Sequence, residues 1–345
     1  LDMDGWGSYV KAPYTHGDPY TGISRMYLKL KAQMMPYTYT NAYAAANIDT
    51  GNGDTGLPMV RAMFLEFPED DYAASKAMQY QYMYGPSLLV APVYQDTEAD
   101  AEGNDIRNNI YLPNDDGEET VWIDYFTGEQ YQGGQAVNGY DAPLWKLPLF
   151  VKNGAIIPMY EENNNPETDL DKSNRIVEFW PAGSTEYTVI EDDGSTMTNE
   201  TTEDEEYGTI DHISYGGRVS TKLTSVVEDG TATLTAEASE GSYDGYDKNK
   251  NTEFIVNVSE EPESIVAKNG DQELEKIVKV DSLAAFEETV PGEDEVVYFY
   301  DASPEIKTYI PDESKEQKLQ EMVADVEVAP KLHVKFAETD ASANA

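Results

Sequence analysis

The spacing of apolar residues changes near position 57. Between residues 23 and 46, Ile23, Met26, Leu30 and Met34 recur at helical intervals while Lys29, Lys31 and Gln33 occupy the opposite side. The spacing predicts a helix over 23–46, kinked at Pro36, where the ring removes a backbone donor and crowds the preceding turn. From residue 57 the pattern is that of strands. Segments 59–67, 87–93, 109–112, 121–125 and 147–158 are short apolar runs separated by Gly, Pro, Asn and Asp. Turn signals at 125–128 and 133–134 join such runs as hairpins, so an antiparallel β-sandwich is expected at 57–160.

Residues 161–173 (EENNNPETDLDKS) are polar and acidic with a central Pro, and periodicity disappears across them; they are expected to be a linker. Beyond it, segments 176–180, 186–190, 218–226, 231–236 and 252–258 alternate apolar with polar residues and are rich in Thr, Val and Ile, predicting a second sandwich at 174–310. The charged stretch 199–206 reads as a solvated loop. Residues 312–325 read as a short acidic helix or an extended connector, and 328–336 as the first strand of a further module within 311–345. Both ends of the chain have the character of cuts in a longer reading frame, because it opens on Leu1-Asp2-Met3-Asp4 and stops inside that module.

Composition narrows the possible partners. The chain has 345 residues, long enough for more than one core. Its formal net charge of −43 repels phosphate backbones and anionic lipid, so neither nucleic acid nor a membrane surface is expected as a partner. There is no Cys, which excludes disulfides and thiolate metal sites. No apolar run of about 18 residues suggests a membrane span. His16, His212 and His333 are isolated from one another, and residues 47–56 carry Asn and Asp at spacings that suit a turn better than a calcium loop, so no metal is expected. Neither phosphate-binding glycine motif is present, so no nucleotide cofactor is expected either.

Several blocks in order carry a resemblance. They are 27–29 (YLK), 35–40 (MPYTYT), 56–63 (GLPMVRAM), 64–68 (FLEFP), 85–93 (GPSLLVAPV), 110–113 (IYLP), 122–128 (WIDYFTG) and 148–158 (PLFVKNGAIIP). This succession resembles the C-terminal part of glycoside hydrolase family 31, with weaker continuation through 191–194 (EDDG) and 241–246 (GSYDGY). The resemblance implies a mainly β chain: residues 1–56 as the last βα unit of a (β/α)8 barrel, then two antiparallel β-sandwich domains, proximal and distal. One βα unit cut from a barrel exposes apolar surface, so residues 1–50 are expected to be poorly protected on their own.

Members of the family are retaining α-glycosidases whose two catalytic Asp residues sit on earlier barrel strands, so the resemblance places no catalytic residue in this chain. What it leaves of the active site is 1–11 (LDMDGWGSYVK), at the C-terminal end of the last barrel strand, where Asp4 is positioned to accept hydrogen bonds from sugar hydroxyls and Trp6 to stack on a pyranose. A turn Asp and a core Trp are the structural alternatives. Many family members carry His near this place, where Met3-Asp4-Gly5 stands here. The DGWGS segment with the YLKLK helix is similar to a subgroup acting on α-N-acetylgalactosaminides, often in bacterial surface enzymes; α-glucosides and α-xylosides are the rival substrates. The implied protein is an extracellular or cell-surface bacterial hydrolase acting on a carbohydrate or glycoconjugate, with its oligomeric state left open. A non-catalytic glycan-binding surface module is the alternative. Tyr82, Tyr84, Trp122, Tyr125, Phe126 and Trp145 are candidates for a sugar platform on the first sandwich, although core packing is the commoner use of such residues.

Overall fold

The computed structural model describes residues 12, 15–95, 97, 99–115, 119–165, 170–195, 197–204, 206–292, 294–310 and 317–337. The chain is mainly β, with 37% of residues in strands and 15% in helices. The single kinked helix expected over 23–46 is two helices, α1 (Tyr20–Gln33) and α2 (Met35–Ala45), broken at Met34. Pro36 lies in the first turn of α2, where its missing N–H has no helical partner to lose, so the chain restarts there. Met26, Met34 and Tyr37 are buried in one apolar cluster with both following β regions. Packing against those sheets, instead of exposure, is therefore the fate of much of the apolar surface on the two helices, although Tyr20 and Leu28 remain exposed.

Ten short strands follow: β1 (Val60–Ala62), β2 (Tyr82–Tyr84), β3 (Leu88–Val90), β4 (Asp105–Arg107), β5 (Ile110–Leu112), β6 (Val121–Asp124), β7 (Gln130–Gln132), β8 (Gln135–Val137), β9 (Tyr140–Ala142) and β10 (Leu149–Lys152). Six of them form an antiparallel sheet in the order β1-β2-β3-β10-β6-β7, while β4 pairs with β9 and β5 with β8 as two ribbons. Both faces of the central strands are covered. Leu88, Val90, Ile123 and Val151 join the helices, whereas Leu89, Trp122 and Phe150 meet Ile110, Leu112 and Tyr140 of the ribbons. Double burial explains why GPSLLVAPV reads as a continuous apolar run instead of an alternating one. The strand expected over 59–67 ends at Ala62 and turns into one helical turn, α3 (Met63–Glu66), which carries Met63 and Phe67 into the second cluster.

The remaining strands are β11 (Ile156–Met159), β12 (Asn174–Phe179), β13 (Ser184–Asp192), β14 (Met197–Asp204), β15 (Gly208–Tyr215), β16 (Arg218–Glu228), β17 (Thr231–Ala236), β18 (Glu240–Gly241), β19 (Asn251–Asn257), β20 (Lys268–Asn269), β21 (Gln272–Glu273), β22 (Lys276–Lys279), β23 (Glu295–Asp301) and β24 (Lys331–Ala337), with short helices α4 (Leu283–Glu288) and α5 (Lys318–Val323). One sheet runs β11-β12-β19-β24-β23-β22, and a facing sheet is built from β13, β16, β17 and β18. Val177, Phe179, Phe254 and Val256 of the first meet Tyr187, Val189 and Leu223 of the second in the shared cluster.

Four expectations change here. The second β region is not wholly antiparallel, because β12 pairs β19 and β22 pairs β23 in parallel. A parallel pair needs a long crossover, and the facing sheet supplies the one between β12 and β19. Strand β11, expected inside the first sandwich, is hydrogen-bonded to β12. The charged residues 199–204 lie on β14 of a hairpin with β15, and the described side chains at 201–204 are all exposed. Finally, the strand expected to open a further module is β24, which sits between β19 and β23 in the middle of the second sheet. Its apolar residues Leu332, Val334 and Phe336 fill that sheet's core.

Candidate functional site

Asp4 and Trp6 lie outside the described residues. The structure does show how the chain just after them is held. The C-terminal segment straps α1: Asp18 Oδ2 accepts a hydrogen bond from the Lys318 amide at 3.3 Å. Gly22 faces Leu319 and Ile310, whose side chains would stand in van der Waals contact, 3.4–3.5 Å, with an added Cβ. Tyr309 donates its hydroxyl to Gln33 Oε1. Glu162 draws Lys29 to 3.1 Å and Lys307 to 3.7 Å, so the stretch expected to be a free linker is tied at its start to the same helix.

The six aromatic candidates serve the core. Trp122 is fully buried and donates its indole N–H to the Pro113 carbonyl at 2.8 Å. Trp145 and Phe126 are buried edge to face, ring centroids 5.5 Å apart. Tyr84 shares a hydroxyl contact with Thr38, and Tyr125 reaches Glu178 at 3.4 Å. Burial, reinforced by the Glu178 carboxylate, raises the Tyr125 phenol well above its usual value.

A carboxylate holds this region together. Asp124, fully buried, accepts from the amides of Phe126 at 2.9 Å and Thr127 at 3.1 Å, from the Tyr140 hydroxyl, and from Lys146 Nζ at 2.8 Å. Burial and then Asp124 push the Tyr140 phenol upward. With its lone pairs so occupied and its charge matched by Lys146, Asp124 anchors the 124–128 turn and is not set up to exchange protons with a substrate. Beside it, an open groove of about 420 Å3 is lined by Tyr27, Pro92, Asp105, Leu144, Trp145 and Lys146, among others.

No group of three or more potential metal ligands occurs among the described residues. His333 Nδ1 lies 3.1 Å from Glu253 Oε1, and His16 is exposed. No helix among the described residues is long and apolar enough to cross a membrane. Two exposed rings escaped the sequence reading: Tyr80 and Tyr94 are stacked face to face with centroids 3.7 Å apart. They lie fourteen positions apart at strand flanks, where no periodicity pairs them.

The antiparallel sheet with its ribbons is the class that comparison with known proteins recovers: residues 56–157 match the family model described as the glycosyl hydrolase family 31 C-terminal domain. Over 188 residues the chain is 34% identical to an isomaltosyltransferase of Sporosarcina globispora, covering 53% of this chain and 15% of that protein. It is 29% identical to alpha-glucosidase 2 of Bacillus thermoamyloliquefaciens (54% and 21% covered) and 27% identical to an alpha-xylosidase of Saccharolobus solfataricus (56% and 23% covered). The matches thus span less than a quarter of each of these curated relatives. A solved GH31 dextranase of Flavobacterium johnsoniae, complexed with isomaltotriose, shares the fold over 96% of this chain and 34% of its own, with a TM-score of 0.62 and 24% identity.

Proposed function

We propose that this chain is the C-terminal portion of a retaining α-glycosidase that hydrolyses O-glycosyl bonds of an α-glucoside or an α-N-acetylgalactosaminide. The observation that carries the reading is the match of 56–157 to the family 31 C-terminal domain, with α1 and α2 packed into the same core. The glucosidase and isomaltosyltransferase relatives favour an α-glucoside, while the alpha-xylosidase keeps an α-xyloside as a rival. The α-N-acetylgalactosaminide reading rests on the DGWGS segment of residues 4–8. In this proposal two Asp carboxyls about 5–5.5 Å apart, on barrel strands preceding this chain, act as nucleophile and general acid/base. One attacks the anomeric carbon as the other protonates the leaving oxygen; the second then deprotonates the water that releases the sugar. Asp4 and Trp6 contact the sugar in that site, and the protein works outside a bacterial cell or on its surface.

The work of the described residues is positional. The sheets and segments 306–310 and 317–323 hold α1 and α2, and barrel catalysis depends on that kind of rigid support because small displacements of reacting groups cost rate steeply. The test is expression of the parent reading frame and of this chain, each assayed on aryl α-glucosides and aryl α-N-acetylgalactosaminides. Turnover by the parent with retention of configuration, and none by this chain, is expected. Turnover by this chain alone, or a parent barrel lacking the Asp pair, would overturn the proposal; the latter outcome would favour a glycan-binding surface module.

A further inference from the structure

We infer that the open end of the β2–β3 hairpin carries a binding surface for neutral α-glucan chains, built on a ladder of Tyr80, Tyr94 and Arg107. The two rings stack at 3.7 Å with planes 10° apart, and the Arg107 guanidinium lies 4.9 Å from the Tyr94 centroid. Tyr80 is 43% exposed and Tyr94 41%, whereas Arg107 is only 6% exposed.

That contrast is what distinguishes a platform from incidental surface aromatics. Arg107 is fastened from below, donating from Nε to the Pro92 carbonyl at 3.2 Å and from a terminal nitrogen to the Asn108 carbonyl. A pinned cation holds Tyr94, and Tyr94 holds Tyr80, so the ordering entropy of two exposed rings is spent before any ligand arrives. The surface extends beyond the ladder. Gln81, next to Tyr80, bonds both backbone groups of Tyr111 at 2.7 and 2.9 Å. Tyr111 in turn packs edge-on to the exposed Tyr72 at 4.6 Å, and the Tyr72 hydroxyl donates to Asn109 Oδ1. On the other side Pro92, Val93 and Asp105 lead into the open groove of about 420 Å3.

Flat rings edged by hydroxyl, amide and carboxylate groups match a pyranose, whose C–H face is apolar and whose rim is a ring of hydroxyls. A net charge of −43 disfavours phosphate polymers and other anionic ligands, and the exposed aromatic faces suit an uncharged ligand. The choice of an α-linked glucan rests on the α-glucoside reading proposed above.

Electrophoresis of the 345-residue chain through gels containing dextran or soluble starch tests the inference, because it reads binding without needing hydrolysis. Retardation by at least one of them is expected. Tyr80→Ala should weaken it about tenfold, the loss of one aromatic stacking contact, and Tyr94→Ala should weaken it too, because Tyr94 holds Tyr80 in place. Tyr207→Ala, at an exposed ring on the distal hairpin, should leave it unchanged, and matching circular dichroism would show that each variant folds. The inference fails if neither glucan retards the chain, if both ladder variants bind as wild type, or if Tyr80→Ala instead dissolves a dimer. None of these results depends on whether the parent protein hydrolyses a glycoside, so the two proposals can fail separately.

Discussion

Replacing Arg61 should unfold the junction between helices and first sheet more severely than any surface change. Its guanidinium is fully buried and spends its donors on four acceptors: the Pro58 carbonyl at 2.9 Å, Glu66 at 2.7 Å, Asp54 at 3.1 Å and Asn41 at 3.4 Å. Arg61→Leu keeps most of the buried volume but leaves the two nearly buried carboxylates of Asp54 and Glu66 without their cation. Asp54 already has one oxygen that is buried without a hydrogen bond. Breaking a buried pair from one side costs about 3–5 kcal/mol. At about 2–4 °C per kcal/mol for a domain of 150–250 residues, the melting temperature should fall by roughly 6 °C or more. Arg61→Lys should fall between, since an ammonium keeps the charge but cannot span the fork of acceptors. The exposed pair Lys222 with Glu186 is the control, and its loss should scarcely register. Calorimetric melts of the three variants decide the matter. If Arg61→Leu melts with wild type, the ion pairs are not what holds this junction.

Alkaline pH should unfold the chain cooperatively. Burial raises the phenols of Tyr37 and Tyr187, and Tyr160 is pushed up to about 12 by burial with Glu191 and Asp192 nearby. An unfolded tyrosine ionises near pH 10. Above that value the unfolded state sheds protons that the folded state retains, so stability is intact below about pH 10 and declines as pH rises towards 12. Tyrosinate absorbance should therefore rise together with loss of near-ultraviolet dichroism; a smooth titration with the dichroism intact would contradict the assignment. Gly128→Ala should destabilise more than Gly183→Ala. Both glycines have positive φ, but a Cβ at 128 would come within 2.3 Å of the Ala329 side chain, while one at 183 meets nothing within 4 Å. The shared backbone strain is of order 1 kcal/mol, and the excess loss at 128 measures how tightly the approach to β24 presses on the 124–128 turn. Equal melting temperatures would show that this contact yields freely.

The sequence makes most individual strands legible and fewer of the partnerships between them. Residues 87–93, 121–125 and 252–258 are strands because burial on one or both faces leaves an apolar signature in the chain itself. Strand β14 is charged over residues 199–204 and carries no apolar alternation to advertise it, and only the turn glycine at 208 marks the hairpin. Strand β24 is legible as a strand, but its place is between β19 and β23 instead of in a further module. Nothing local records that its partners β19 and β23 lie far back in the chain, because antiparallel pairing consumes backbone groups that every residue carries.

The same reasoning explains why the candidate surface was invisible while the false one was prominent. Tyr82, Tyr84 and Trp122 lie on strands and Tyr125, Phe126 and Trp145 on turns beside them, and such segments near a core bury their aromatics; density of aromatic residues therefore signals packing. Tyr80 and Tyr94 stand at the flanks of the β2–β3 hairpin, and their stacking depends on that hairpin's register, Tyr82 opposite Val90. Arg107 reaches Tyr94 only because β4 folds back towards the end of β3, where it bonds the Pro92 carbonyl. A binding surface made of flanks is a product of topology. It follows that a single-residue shift in the β2–β3 register would separate the two rings while leaving the local sequence signals untouched, so the ladder tests the fold as much as the ligand.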